Sequence, residues 1–213
     1  MKSKNRKVIK IKLIISLIFT LFFNLMFSQI DIPSDYLKIP DSLFFKDHLY
    51  QSIIPNKKYK YWKVVQKYSS MEKLVYEKKK ITGNNRCKEN HSIESGFFEE
   101  CMPDGCFSYI VSCNNKTIEY FTTENELIKF IDYVDNLSEA LLIAKTYGLW
   151  FDRKNPVGGS FKMDKDFIYL NLAKFKRCPV SSESFYVRID RKTGELYYES
   201  KGIYHKTNDC YSS

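Results

Sequence analysis

Residues 123–148 read TENELIKFIDYVDNLSEALLIAKTYG, and one short pattern occurs in them twice. Thr123-Glu-Asn-Glu126 and Asn136-Leu-Ser-Glu139 each place a small side-chain acceptor three residues before a glutamate. The acceptor takes a free amide of the opening helical turn, and the glutamate reaches back to the amide of the acceptor residue. Each pattern therefore predicts a helix start, one at Glu124 and one just after Asn136. Leu127, Ile128, Ile131 and Val134 give the first helix an apolar stripe, and Ala140, Leu141, Ala144 and Tyr147 give the second its inward face. Gly148 supplies the left-handed residue that ends the second helix.

Strand patterns lie on both sides of this helix pair. YKYWKVVQK (59–67) and EKLVYEKKKI (72–81) read as paired strands. CFSYIVSC (106–113) alternates, with Phe107, Tyr109 and Val111 on one face and Ser108, Ile110 and Ser112 on the other. Residues 114–116 turn the chain, and 117–121 return as a strand. Beyond the helices, 161–163 and 167–174 flank the turn Asp164-Lys165-Asp166, and 185–190 and 195–200 flank Arg191-Lys192-Thr193-Gly194. Phe185, Val187 and Ile189 share a face. The expected fold is α+β: an antiparallel sheet or meander with two consecutive helices packed on one face, stabilised by disulfides.

The start of the chain has a different character. Six basic residues (Lys2, Lys4, Arg6, Lys7, Lys10 and Lys12) precede an apolar run from Leu13 to Phe27, and no acidic residue occurs before Asp31. This order describes a secretory signal peptide over residues 1–28, cut after Ser28 to leave Gln29 first. The run of 15 residues falls short of the roughly 20 that a membrane span needs. The alternative is an uncleaved N-terminal membrane anchor. Export to the periplasm, outer surface or extracellular space is the expectation. Removing six basic residues from 34, against 25 acidic ones, lowers the net charge from +9 to +3. The basic excess of the whole chain therefore implies no nucleic-acid partner. Residues 29–56, with Pro33, Pro40 and Pro55, read as an extended N-terminal arm, and 57–213 as a single α+β domain.

All six cysteines (Cys87, Cys101, Cys106, Cys113, Cys178 and Cys210) lie beyond the signal segment. An even count in an exported chain reads as a disulfide framework. Cys178 with Cys210 is the natural remote pair, which leaves Cys87, Cys101, Cys106 and Cys113 with their pairing open. EECMPDGC (99–106) offers a Cys-x4-Cys spacing around a Pro-Asp-Gly turn. Zinc sites favour Cys-x2-Cys, and thioredoxin-like sites need Cys-x-x-Cys at a helix start. A structural staple is the expectation, with no metal. A three-residue hairpin loop here would point Cys101 and Cys106 to opposite faces, so a direct bond between them requires a longer loop.

Motifs for catalysis or cofactors are absent: no Gly-x-Ser-x-Gly, no His-Glu-x-x-His, no P-loop and no dinucleotide fingerprint. No catalytic residue and no cofactor is assigned. Glu99 with Glu100, and Asp132 with Asp135, are the carboxylate pairs weighed as acid/base couples: strand neighbours point to opposite faces, which weakens the first, and the second, three apart at a helix end, reads better as solvated. His48, His91 and His205 are the histidines an unrecognised exported hydrolase would have to use. Residues 56–68, NKKYKYWKVVQKY, interleave lysine with aromatics. Lys58, Lys60, Tyr61, Trp62 and Lys63 form the candidate ligand-binding set, since stacking and charge together hold anionic glycans or single strands. A strand with one aromatic face explains the same spacing.

Two resemblances carry expectations of their own. The stretch IDYVDNLSEALLIAKTYG resembles a helical segment of exported proteins of the Flavobacterium group that have no assigned activity. SEALLIA followed by YVRIDRKTGELYY is similar to the helix-plus-hairpin pattern of PepSY-type domains, matched here by Asp190, Thr193, Gly194 and Glu195. That likeness implies a role in peptidase modulation or envelope sensing. The segment 155–160 and two cysteines depart from the pattern. The functional expectation is a non-catalytic interaction or structural module at the cell envelope or outside, with an envelope protein or a glycan as partner. The alternatives are an exported hydrolase and an anion- or glycan-binding domain.

Overall fold

The computed structural model describes residues 30–59, 61–69, 71–79, 92–101, 105–114 and 117–211. Residues 1–28, expected as a signal peptide or anchor, Lys60, Cys87, His91 and residues 102–104 and 115–116, expected in turns, lie outside the described residues. The fold below belongs to the unit Ile32–Ser213. Among the described residues, no helix is long and apolar enough to cross a membrane.

Among the described residues, ten strands and three α-helices build the unit. They run β1 (Leu37–Lys38), α1 (Lys46–Gln51), β2 (Tyr61–Tyr68), β3 (Met71–Lys79), β4 (Phe97–Glu100), β5 (Cys106–Asn114), β6 (Thr117–Phe121), α2 (Glu124–Ile131), α3 (Leu137–Thr146), β7 (Ser160–Met163), β8 (Phe167–Arg177), β9 (Val180–Asp190) and β10 (Leu196–Lys206). The α+β class stands. The strands divide between two antiparallel five-stranded sheets, one ordered β1-β7-β8-β9-β10 and the other β3-β2-β5-β4 with β6 also on β5. In the second sheet β2 covers one side of β5 along its length. The other side is shared: β4 pairs at Cys106 and Ser108, and β6 pairs from Ile110 to Asn114.

Both helices begin as the capping boxes require. Thr123 Oγ1 accepts from Glu126 N at 3.2 Å, and Asn136 Oδ1 accepts from Glu139 N at 3.2 Å. Their glutamates return to Thr123 N at 3.0 Å and Asn136 N at 3.2 Å. Every residue of α3 from Leu137 to Ala144 is buried. A helix buried all round sits inside a core. Trp62, Val64 and Ile110 from one sheet and Ile168, Leu170, Val187 and Ile189 from the other meet Phe130 and Leu141 of the helices in one apolar cluster. The alternation of β5 appears as expected: Ile110 enters this core, while Tyr109 and Val111 form a smaller cluster with Val65 on the opposite face. Tyr147, expected inward, follows the helix end and is exposed, its ring 6.0 Å from that of Tyr198.

The segment expected as an extended arm is not extended throughout. A 3-10 turn at Asp41–Phe44 leads into α1, and Ile39, Leu49, Tyr50 and Ile53 are buried in the main core. Three prolines masked a short helix whose apolar residues are too few to show a period. Lys38 and Leu37 add the edge strand β1 to β7.

The C-terminal hairpins follow the turn chemistry. The Asp190 carboxylate accepts from the amides of Lys192 and Thr193, at 2.8 and 3.0 Å, and Gly194 takes a φ of 68°. This local bonding accounts for Asp190, Thr193 and Gly194 without appeal to kinship. The β8–β9 turn is Cys178-Pro179, joined by a cis peptide bond, and the ladder extends further than the sequence pattern indicated.

Candidate functional site

The lysine-aromatic stretch does not form one surface. Trp62 is buried in the core, its ring 5.0 Å from Tyr76 and 5.3 Å from Phe130. Strand alternation sends Tyr61 and Lys63 to the other side. The Tyr61 hydroxyl donates to Glu77 at 3.0 Å, and Lys58 is exposed before the strand. Trp62 therefore serves packing and offers no face to a ligand.

The cysteines near the opening of β5 are stapled. Cys101 and Cys106 are bonded, with Cα atoms 5.3 Å apart. Cys101 has a φ of 63°, which takes it out of the strand alternation and turns its side chain toward Cys106. The Gln66 amide donates to Cys106 Sγ at 3.1 Å, and the Tyr68 hydroxyl donates to Gln66 Oε1 at 2.8 Å. Cys178 and Cys210 form a second bond, which ties the C-terminal tail to the β8–β9 turn. Cys113 is disulfide-bonded as well. These bonds point to an oxidising, non-cytoplasmic compartment.

The other sequence candidates lie on several different elements. Glu99 and Glu100 belong to β4. Asp132, with a φ of 62°, ends α2, and Asp135 precedes α3. His48 on α1 and His205 on β10 are both exposed. Among the described residues, no three His, Cys, Asp or Glu side chains gather as metal ligands.

Among the described residues the most perturbed carboxylate is Glu139, which is fully buried. Oε1 accepts from Ile54 N at 2.7 Å, and Oε2 accepts from Asp135 N at 2.6 Å and Asn136 N at 3.2 Å. Burial pushes its pKa up to about 7, against the pull of these three amides. It fastens the end of α1 to the start of α3 and lines no cleft.

A cleft of about 1140 Å³ gathers what the linear stretch does not. Phe44, Phe98, Trp150 and Phe175 supply aromatic faces, and Lys46, Lys145 and Arg177 supply positive charge. Glu124 is the one carboxylate among the described lining residues, and no histidine or cysteine is among them. Ser95, Thr122, Thr123 and Thr146 add hydroxyls.

Local structure places each group. The 3-10 turn and α1 set Phe44 and Lys46 at one wall. Lys145 lies in the last turn of α3, and Gly148, with φ of 71°, redirects the chain so that Trp150 pairs with Ala173 beside β8. β8 then runs on to Phe175 and Arg177. Phe98 holds a φ of 58° within the irregular register of β4, and left-handed backbone at a bulky residue is strained. The Lys145 ammonium lies 4.4 Å from the Phe98 ring centre and 5.2 Å from that of Trp150. The Arg153 guanidinium lies 4.1 Å from the Phe44 ring. Such contacts keep aromatic planes and cations together in a fixed order. The described lining thus brings aromatic planes, basic side chains and hydroxyls together, and no acid–base pair is among its described residues. The lining comes from residues 44 to 177 in separate segments, so no local spacing announces it. No protein family, curated protein or solved structure matches the chain.

Proposed function

We propose that the protein is an exported, disulfide-stabilised, non-catalytic interaction module at the cell envelope or outside, and that its ligand is held in this cleft. The observation that supports the reading is the makeup of the described lining: four aromatic rings with basic side chains and hydroxyls around one concave space. A concave site with convergent polar groups is the natural place for a ligand.

Residues 1–28 act as the signal peptide in this reading. Intact mass of the exported protein, alkylated before and after reduction, is expected to begin near Gln29 and to show no alkylation before reduction. The binding claim is tested by sedimentation with the envelope fraction of cells that produce the protein. Phe175→Ala combined with Arg177→Glu, both at exposed positions, is expected to abolish co-sedimentation. Equal co-sedimentation of variant and wild type would remove the cleft from the account.

A further inference from the structure

We infer that the Cys101–Cys106 bond is a site of thiol–disulfide exchange: an external thiolate attacks Cys101 Sγ, and Cys106 Sγ leaves as a thiolate that the Gln66 amide receives. The inference goes beyond the cleft reading and does not depend on it. Three observations at the start of β5 carry it.

The first is a buried donor with no strong acceptor. Gln66 of β2 is 3% exposed. The Tyr68 hydroxyl donates to its Oε1 at 2.8 Å, which turns the amide nitrogen toward the bond. Nε2 lies 3.1 Å from Cys106 Sγ and 3.7 Å from Cys101 Sγ, and these sulfurs are the only acceptors it has among the described residues. A disulfide sulfur is a weak acceptor, whereas a hydrogen bond to a charged thiolate is strong. Gln66 is therefore matched better to the opened bond than to the closed one, and more closely to Cys106 than to Cys101. The second is unequal access. Cys101 is half-buried and Cys106 is buried, so an incoming thiolate reaches Cys101 and leaves Cys106 beside the amide. The third is the backbone. Cys101 holds a φ of 63°, left-handed and unfavourable for a residue with a Cβ, and opening the bond frees it to relax. Neither Cys178 nor Cys210 has a positive φ.

Two thiol equivalents complete the reaction. The first thiolate bonds to Cys101 Sγ as the Cys101–Cys106 bond breaks, and the electron pair goes to Cys106. The second attacks the external sulfur of this mixed disulfide, which releases Cys101 as a thiolate and leaves the two external sulfurs bonded to each other. The protons given up by the external thiols return to the two cysteines, so the pair ends reduced and the external thiol oxidised.

The test equilibrates the purified protein, oxidised and folded, in buffers of stepped reduced-to-oxidised glutathione ratio. Acid quenching, alkylation and peptide mass spectrometry then give the open fraction of each pair. Cys178–Cys210, exposed at both ends, is the reference within the same molecule. Cys101–Cys106 is expected to open at a poise about tenfold less reducing than the reference, and the trapped glutathione adduct to sit on Cys101. Gln66→Met keeps the length of the side chain and removes the donor, and is expected to shift the opening about tenfold toward the closed bond with the reference unmoved. A purely structural Gln66 predicts the opposite sign, because loosened packing favours opening. Tyr68→Phe frees the amide to turn, leaves Gln66 in place and is expected to shift the opening the same way by a smaller factor; it carries the test if Gln66→Met does not fold, which circular dichroism decides. Opening of Cys101–Cys106 only at or beyond the poise that opens the reference would overturn the inference. An adduct on Cys106, or variants that open as easily as the wild type or more so, would overturn it as well.

Discussion

Glu139→Gln separates burial from hydrogen bonding at the joint between α1 and α3. The carboxyl is fully buried and accepts three backbone amides. Amides favour the charged form and burial favours the neutral one. Burial prevails, and the folded-state pKa stands at about 7 against an ordinary 4.5. An acid whose pKa is raised by folding contributes its stability below the ordinary pKa and loses it as pH rises through the folded value. The loss falls between pH 4.5 and about 7, and a shift of that size corresponds to about 3 kcal/mol. Glutamine cannot ionise, but its amide nitrogen, unlike the hydroxyl oxygen of the protonated acid, cannot accept from a backbone amide, so at least one of the three bonds is lost. The variant should therefore start about 1–3 kcal/mol behind the wild type at the acid end of this window and gain on it by about 3 kcal/mol by about pH 8. Urea unfolding followed by tryptophan fluorescence, repeated across this range, gives the difference directly. A variant that falls further behind the wild type as pH rises would show that the three amides outweigh burial, and the reasoning would be wrong.

Trp62→Ala empties a core position between Tyr76 and Phe130 and should lose about 3–5 kcal/mol of stability in the same urea assay, while Lys58→Ala changes nothing measurable. Gly96→Ala should destabilise the β4–β5 pairing, because a Cβ there collides with the Ser108 carbonyl; the thermal midpoint is expected to fall. Replacing Cys178 and Cys210 by serine should destabilise by about 4 kcal/mol, and replacing Cys101 and Cys106 by about 2 kcal/mol, since the first pair closes 32 residues and the second 5. Equal losses, measured by urea unfolding, would contradict the loop-closure argument.

What the sequence showed follows the range of each signal. The capping boxes at Thr123 and Asn136 are four-residue devices, and both appear where the pattern puts them. The period of two in β5 is local as well, and it sorts Ile110 from Tyr109 and Val111 correctly. The split into two sheets depends on which strands pair at long range, which no short window contains. β4 is only four residues long, and its alternation is broken by Phe98 at positive φ, so it carried no strand signal. Ser181, Ser182 and Ser184 look like a loop in sequence, yet they continue the β9 ladder against β8. Trp62 among lysines suggested a binding strip because composition does not say which face of a strand is covered. The cleft was the least legible feature: Lys46, Phe98, Lys145, Trp150 and Arg177 meet only once both sheets and the helices are assembled.

Lysine reactivity tests the central claim, that this cleft is the contact surface. The protein would be acetylated with and without envelope material and the label at each lysine read by mass spectrometry. Lys165, whose side chain is 90% exposed in the β7–β8 turn, serves as the internal reference. The account predicts that Lys46 and Lys145 lose label relative to Lys165 when envelope material is present, and that Lys58 does not. Protection of Lys58 with Lys46 and Lys145 unchanged would place the contact surface elsewhere and contradict the account.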